Sequence, residues 1–220
     1  MKKIKISLIL NILICILVLI GCIFMFTGFT FMHASRLLEA TKMEMFKFYT
    51  IDSNILVGII SFILVIWEIK LLNKKVKVIP NSIYVLKFIA TSAITLTFVT
   101  TLFFLAPQYG LYAMYNNSNL FFHLIVPVLA IISYVFFEKY NNKYKYAILG
   151  IIPMFLYSIY YTGMIIINLD NGGLTFKYDF YGFLQGNINN IYFVIPSIYI
   201  ITYLISLSIV LMNKRVLNNQ

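Results

Sequence analysis

The chain of 220 residues is 61% hydrophobic and only 11% charged, whereas a water-soluble domain carries roughly 25% charged residues. This composition excludes an ordinary soluble domain. The net charge of +10 raises the question of nucleic-acid binding, but the positions of the basic residues, described below, argue against it.

Six stretches of the chain are each long and apolar enough to cross a membrane, which needs about 20 mostly apolar residues. They cover residues 6–30, 46–70, 83–106, 119–138, 146–168 and 191–212. The apolar runs are long and lack alternation with a period of two, so they predict helices rather than the strands of a barrel. We predict an all-α, polytopic bundle of six transmembrane helices that forms a single domain over residues 1–220.

Lysine and arginine residues lie mostly on one side of this predicted bundle. With the amino terminus inside, the inner segments hold twelve of them and the outer segments four, and Lys87 lies near the inner end of the third span. Such an excess is typical of cytoplasmic segments. The distribution predicts cytoplasmic termini and contact with anionic lipid head groups, and no nucleic-acid partner. The abundance of Lys, Asn, Ile and Tyr is typical of bacterial proteins, so we expect a bacterial plasma membrane.

Two polar residues lie at the same depth of two predicted spans. Thr50 is about four residues into the second span, and His123 is four residues into the fourth. Both spans begin at the outer boundary, so both side chains lie roughly 6 Å below it, at 1.5 Å per residue. Ionisable residues inside a membrane are costly and commonly mark a functional site. We predict that Thr50 and His123 meet in the outer leaflet.

Further polar residues are expected around this pair. Ser53 and Asn54 share the helix face of Thr50, because residues three and four apart are neighbours on a helix. Asp52 is about 200° from Thr50 around the helix and points elsewhere. The remaining candidates are Thr100 at the outer end of the third span, and Asp179 and Tyr181 in the last outer loop.

These residue types suit acyl transfer. A threonine hydroxyl becomes nucleophilic when a base removes its proton, and a buried neutral imidazole is the usual base. Asn54 could donate a hydrogen bond to a developing oxyanion. A carboxylate, Asp52 or Asp179, could orient the imidazole as in other triads. A shallow position in the leaflet gives access to acyl chains and to interfacial water, which suits an amphipathic lipid ester.

Two other functions stay open at this point. Threonine in membrane helices mostly bonds its own helix or a neighbour, so a non-catalytic scaffold would use the same residues. A transporter or channel for a small solute or proton could use Asp52, Asn54, Thr100, Thr101 and His123. Against transport, the inner halves of the spans show no matching ionisable groups, since Glu68 and Glu138 lie near the inner ends.

Three short segments resemble the androgen-inducible membrane protein family and its bacterial relatives. The residues Lys47-Phe48-Tyr49-Thr50-Ile51-Asp52-Ser53-Asn54 are similar to that family's threonine-bearing helix start. The residues His123-Leu124-Ile125-Val126-Pro127 are similar to its histidine and following proline. The stretch Tyr178-Asp179-Phe180-Tyr181-Gly182-Phe183 is similar to the aromatic motif in the last outer loop of the bacterial relatives.

The resemblance implies an intramembrane threonine hydrolase that acts on fatty-acid esters of hydroxy fatty acids. By this resemblance, Thr50 is the nucleophile and His123 is the base. The implied partners are membrane lipids and a fatty-acyl ester substrate, with no cofactor. The sequence also lacks a nucleotide-binding glycine loop and any metal-ligand spacing, so we predict no cofactor-binding and no metal site. Substrate identity, hydrolysis as opposed to acyl transfer to a second lipid, and oligomeric state stay open.

Overall fold

The structure is a computed structural model that describes residues 2–32, 42–138, 143–169, 174 and 177–218. The described chain is helical, without strands, and six of its helices are long and apolar enough to span a membrane. The predicted all-α membrane bundle is confirmed. The helices are α1 (Lys2–Thr27), α2 (Tyr49–Leu72), α3 (Asn81–Tyr109), α4 (Asn117–Phe137), α5 (Tyr144–Ile167) and α6 (Ile188–Asn218).

Local sequence explains where several helices begin and end. A short 3-10 helix, Lys42–Lys47, precedes α2 and is joined to it by Phe48 in extended conformation. Pro80 has a φ of −58°, fixed by its ring, and directly precedes α3. That helix ends at Gly110, whose φ of 93° lies in a region that glycine adopts readily.

The amino-terminal end of α1 and the carboxyl-terminal end of α6 lie at the same end of the bundle. Asn11 of α1 and Asn213 of α6 both hydrogen-bond to Glu138, just after α4, through its side-chain and main-chain oxygens respectively. We call this end the terminal side. The opposite end, which we call the loop side, carries the segments between α1 and α2, α3 and α4, and α5 and α6. There Asn117 at the start of α4 accepts hydrogen bonds from the main-chain N–H groups of Phe31 and Met32.

Small residues let α1 pack closely against its neighbours. A Cβ atom at Gly21 would lie 2.7 Å from the Phe122 ring of α4, and one at Gly58 of α2 would lie 3.0 Å from Val18. Close approach at small residues is the usual way in which membrane helices gain packing contacts. The Phe122 ring is completely buried in this way, which sets the rotation of α4 next to His123.

Helices α3 and α4 each widen into a π-helical turn close to a proline, and α4 has a second π-helical turn at Ser133–Phe137. In α4 the turn covers Phe121–Ile125 and Pro127 follows; in α3 it covers Thr101–Leu105 and Pro107 follows. A proline has no N–H, and its ring collides with the carbonyl four residues earlier, which for Pro127 belongs to His123. Widening the helix relieves that collision. Single π turns within α-helices are common at functional sites.

Candidate functional site

A cavity of about 550 Å³ lies on the loop side of the bundle among α2, α3, α5, α6 and the segment that precedes α6. Its volume is in the range of small-molecule sites. We call it the loop-side cavity. Its lining consists of Tyr49, Thr50, Leu96, Thr97, Val99, Thr100, Thr101, Phe103, Phe104, Leu105, Met154, Tyr157, Tyr181, Phe183, Gln185, Asn190, Phe193, Val194, Ser197, Ile198 and Ile201.

The lining is chemically divided. Among the described residues, no charged side chain contributes to it. Most hydroxyl groups come from α2, α3, Tyr157 of α5 and Tyr181 of the segment before α6, while α6 contributes mostly apolar side chains. Phe103 and Phe104 on α3 and Phe193 on α6 line the cavity and are also exposed on the surface of the bundle. The cavity therefore has an opening toward surrounding lipid between α3 and α6.

Thr50 lies in this wall. It is the second residue of α2, and its side chain is partly accessible. Its main-chain carbonyl accepts hydrogen bonds from Ser53 Oγ at 3.1 Å and Asn54 Nδ2 at 2.7 Å. Ser53 also exchanges a hydrogen bond with Thr97 on α3 at 2.9 Å. These contacts hold the first turn of α2 against α3 and leave the Thr50 side chain on the cavity wall.

Asn54 sets the depth of Thr50 relative to α4. Its amide donates to the carbonyl of Thr50 and, at 3.1 Å, to the carbonyl of Phe122. Both helices run from the loop side to the terminal side, and helix carbonyls point along the chain direction. Thr50 is therefore level with Phe122, the residue before His123. Both Asn54 N–H groups are already engaged by carbonyls, so in this arrangement Asn54 has no hydrogen left for an oxyanion.

His123 is 5% exposed and is not among the residues that line the loop-side cavity. Its Nδ1 lies 2.7 Å from the carbonyl oxygen of Met114, in the segment between α3 and α4. A carbonyl only accepts, so Nδ1 carries the hydrogen and Nε2 of the neutral ring is the acceptor. Among the described residues, no hydrogen bond joins the Thr50 hydroxyl to the His123 ring.

The two carboxylates proposed as orienting groups have other contacts. Asp52 is exposed and lines a second cavity of about 430 Å³, between α2 and α5. Asp179 is buried, where one carboxylate oxygen accepts the Tyr161 hydroxyl and the other accepts the Leu184 N–H at 3.1 Å. Asp179 therefore folds the segment before α6 into a cap. The partner of the His123 Nδ1 is a main-chain carbonyl.

Tyr181 connects this cap to Thr50. Its ring is 7% exposed and stacks on Phe183, with ring centroids 4.9 Å apart. Its phenol lies beside the side chains of Tyr157 and Thr50, whose polar interactions with it favour the phenolate. Burial raises the pKa of Tyr181 to about 12, and those interactions only partly offset the shift. The phenol is therefore protonated at neutral pH and able to donate a hydrogen bond beside Thr50.

Sequence reasoning missed several participants. Tyr157 and Gln185 line the loop-side cavity, and the Tyr157 hydroxyl also donates to the carbonyl of Lys47 at 2.6 Å. Tyr157 had a signal, since it belongs to a tyrosine cluster on the fifth span. Thr100 was predicted as a site residue and Thr101 only as part of a transport pathway, whereas Thr97 was not assigned to the site. No signal in the sequence could identify the Met114 carbonyl as the partner of His123, because every residue type carries the same main-chain acceptor.

The described residues include no group of three or more histidine, cysteine, aspartate or glutamate side chains placed to hold a metal ion. Comparison with known proteins adds no further constraint. No protein-family profile, no curated protein and no solved structure matches the chain. The resemblance to the androgen-inducible membrane protein family, and the residue roles that it implies, therefore stay a prediction.

Proposed function

We propose that the chain cleaves an acyl ester of an amphipathic lipid in the loop-side cavity, with Thr50 as the nucleophile. One observation carries the proposal: the Thr50 side chain and the protonated Tyr181 phenol share the wall of an uncharged cavity that opens toward lipid. An acyl chain fits the apolar wall, and an ester carbonyl is left at the hydroxyl-bearing wall. The resemblance of the sequence motifs to a threonine hydrolase family points to the same chemistry.

In this proposal His123 supplies the base. Its Nδ1–H is held by the Met114 carbonyl, as a carboxylate holds the histidine of other triads, and Nε2 is left to take a proton. Thr50 interacts with Tyr181 in the present arrangement. Proton transfer to Nε2 therefore requires a bridging water or a rotation of the Thr50 side chain, which general-base catalysis tolerates because hydrogen bonds tighten when substrate binds.

The reaction has two balanced steps. The Thr50 Oγ1 attacks the ester carbonyl while its proton moves to Nε2 of His123, and Tyr181 donates a hydrogen bond to the oxyanion. The alcohol leaves with that proton, and the acyl group stays on Thr50. Water, deprotonated by the same imidazole, then releases the fatty acid and restores the hydroxyl.

The location of the protein follows from its charges. The terminal side carries Lys2, Lys3 and Lys5 at the start of α1 and Lys214 and Arg215 at the end of α6. An excess of basic residues favours the cytoplasmic side. In this proposal both termini are cytoplasmic in a bacterial plasma membrane, and the loop-side cavity lies in the outer leaflet.

The test uses a serine- and threonine-directed fluorophosphonate on the full chain in detergent or nanodiscs. Wild-type protein and Thr50→Ser are expected to be labelled, whereas Thr50→Ala and His123→Ala are not. Thr162→Ala is the matched control, because the Thr162 hydroxyl bonds its own helix at the Ser158 carbonyl and lies outside the cavity lining. Unchanged labelling of folded Thr50→Ala contradicts the proposal.

A non-catalytic lipid-binding role is the second candidate. It is favoured by the interaction of Thr50 with Tyr181 rather than with His123. This role needs the loop-side cavity but no base. It predicts that a photoreactive fatty-acyl ester crosslinks to the cavity wall equally well in wild-type protein and in His123→Ala, and that neither protein is labelled by the fluorophosphonate.

A further inference from the structure

Three ionisable side chains from different parts of the chain meet in the terminal half of the bundle. They are Glu68 on α2, Lys87 on α3 and Glu138 just after α4, and we call them the charged cluster. Their exposed fractions are 2%, 0% and 3% respectively. Contrary to the expectation from sequence, this half of the bundle therefore does hold matching ionisable groups.

Lys87 is held by partners from three directions. Its Nζ donates to Asn11 Oδ1 on α1 at 2.7 Å and to Ser61 Oγ on α2 at 2.6 Å. It also lies 3.9 Å from Glu138 Oε1. Three hydrogen-bonding or ionic partners match the three donors of an ammonium group, so the geometry is that of a charged lysine.

The same carboxylate oxygen of Glu138 collects several contacts. It accepts from Ser133 Oγ at 2.9 Å and from Asn11 Nδ2 at 3.4 Å, in addition to the ionic contact with Lys87. The other oxygen, Oε2, has no hydrogen-bond partner among the described residues. Glu138 is therefore the counter-ion of Lys87 on one side and carries an unsatisfied oxygen on the other.

Glu68 is the second carboxyl group of the charged cluster. It lies close to the side chains of Ser7 and Asn11 and near the charged groups of Glu138 and Lys87. Within the described part of the chain it forms no ion pair, and its Oε2 is also without a hydrogen-bond partner. The other titratable groups that face the cluster are Tyr84, which interacts with both glutamates, and Cys15, which faces Lys87.

The charges of this cluster do not balance. One ammonium and two carboxylates leave a net charge of −1 in an environment from which solvent is excluded. An uncompensated buried charge costs several kcal/mol, and a buried group usually becomes neutral instead. A single proton would neutralise the cluster, and the two unpartnered carboxylate oxygens are where it can bind.

We propose that Glu68 and Glu138 together hold one exchangeable proton and form, with Lys87, a proton-binding site in the terminal half of the bundle. Glu138 is the ionised member, because Lys87, Ser133 and Asn11 all favour a negative charge on it. Glu68 carries the proton. The cluster binds as many protons as it needs to become neutral. Removing a glutamate therefore lowers the number of bound protons, and removing Lys87 raises it.

Infrared spectroscopy of the full chain in nanodiscs at neutral pH counts these protons through the C=O stretch of protonated carboxyl groups. Wild-type protein is expected to show one such group at the cluster. Glu68→Gln is expected to remove the infrared signal of this group. Lys87→Gln removes the counter-ion and is expected to double the signal, because both carboxyl groups then become protonated. Glu44→Gln is the control and leaves it unchanged, because the Glu44 side chain is 77% exposed and lies outside the bundle.

Glu138→Gln keeps the test decisive if Glu68→Gln does not fold. Glu68 then becomes the counter-ion of Lys87, and the protonated carboxyl signal is again lost. Thermal unfolding of every variant checks that the bundle is intact. The proposal is overturned if wild-type protein shows no such signal, or if folded Lys87→Gln leaves its intensity unchanged.

Discussion

The loop side and the terminal side of this bundle bury polar side chains in opposite ways. On the loop side, hydroxyl groups line an uncharged cavity that opens toward lipid between α3 and α6. On the terminal side, Glu68, Lys87 and Glu138 are enclosed, and Lys87 contacts Glu138 and nearby hydroxyl and amide groups. The difference separates an accessible, uncharged surface, where we propose that a lipid ester binds, from a closed cluster of charged groups, where we propose that a proton binds.

The largest expected effect on stability is on the terminal side. Lys87→Met removes the cation next to Glu138 together with the hydrogen bonds to Asn11 and Ser61. Breaking a buried pair costs about 3–5 kcal/mol, so we expect the free energy of unfolding to fall by about that amount. Lys70→Met is the control, because Lys70 is exposed at the end of α2. Equal stability of the two variants in equilibrium unfolding would show that the cluster is not a closed ion pair.

On the loop side, Tyr181→Phe removes a hydrogen-bond donor and keeps the aromatic ring. Loss of one oxyanion donor costs roughly 10²–10³-fold in rate, and we expect fluorophosphonate labelling to slow by about this factor while the bundle stays folded. Tyr178→Phe is the matched control from the same segment, since Tyr178 lies outside the cavity lining. Equal labelling rates for both variants would remove Tyr181 from the chemistry.

Two glycines of α5 compare the packing of the two sides directly. A Cβ at Gly150, on the terminal side, would lie 2.8 Å from the Ser206 Cβ and 3.0 Å from the Ser92 Cβ, whereas one at Gly163 would meet nothing within 4 Å. We expect Gly150→Ala to destabilise the bundle by about 1–3 kcal/mol, as overpacking does. Gly163→Ala is expected to be neutral or stabilising, by up to about 1 kcal/mol. Thermal unfolding that ranks them in reverse would contradict this account of packing.

The smallest effect is a pH dependence at Tyr181. Burial raises its pKa from 10.0 to about 12, so the folded chain holds this proton more tightly than the unfolded chain. The resulting stabilisation is complete below pH 10 and is lost as the pH rises to about 12. Tyr181→Phe is therefore expected to lose less stability over this range than wild-type protein. Identical pH profiles of unfolding would show that the phenol is not buried in solution.

The sequence predicted the fold well because hydrophobic length is a strong constraint in membranes. Six apolar runs gave six helices, with ends that differ by a few residues, such as the extension of α6 to Asn218. Thr50, Thr100 and Tyr181 were predicted to share a site and do line one cavity. Their common feature is a position near the loop-side ends of helices, which the alternation of spans defines without any knowledge of packing.

The rest depended on helix rotation and on distant pairings. The turn of His123 toward the Met114 carbonyl follows from the π turn before Pro127 and from the packing of Phe122 on Gly21, neither of which has a periodic signal. Lys87 belongs to the third span and Glu138 follows the fourth, so the pair is distant in sequence. A lysine near the end of a span is usually assigned to the membrane interface. Asn11, a polar residue inside the first apolar run, was the available sign that a buried partner existed.

The measurement that tests the central claim most directly is the location of the fluorophosphonate adduct by mass spectrometry of the digested full chain. We predict a phosphonylated peptide from the start of α2, with the modification on the Thr50 oxygen, which disappears in His123→Ala and persists in Thr162→Ala. An adduct on another hydroxyl of the loop-side cavity, or folded protein that reacts at no hydroxyl, would contradict the assignment of Thr50 as the nucleophile.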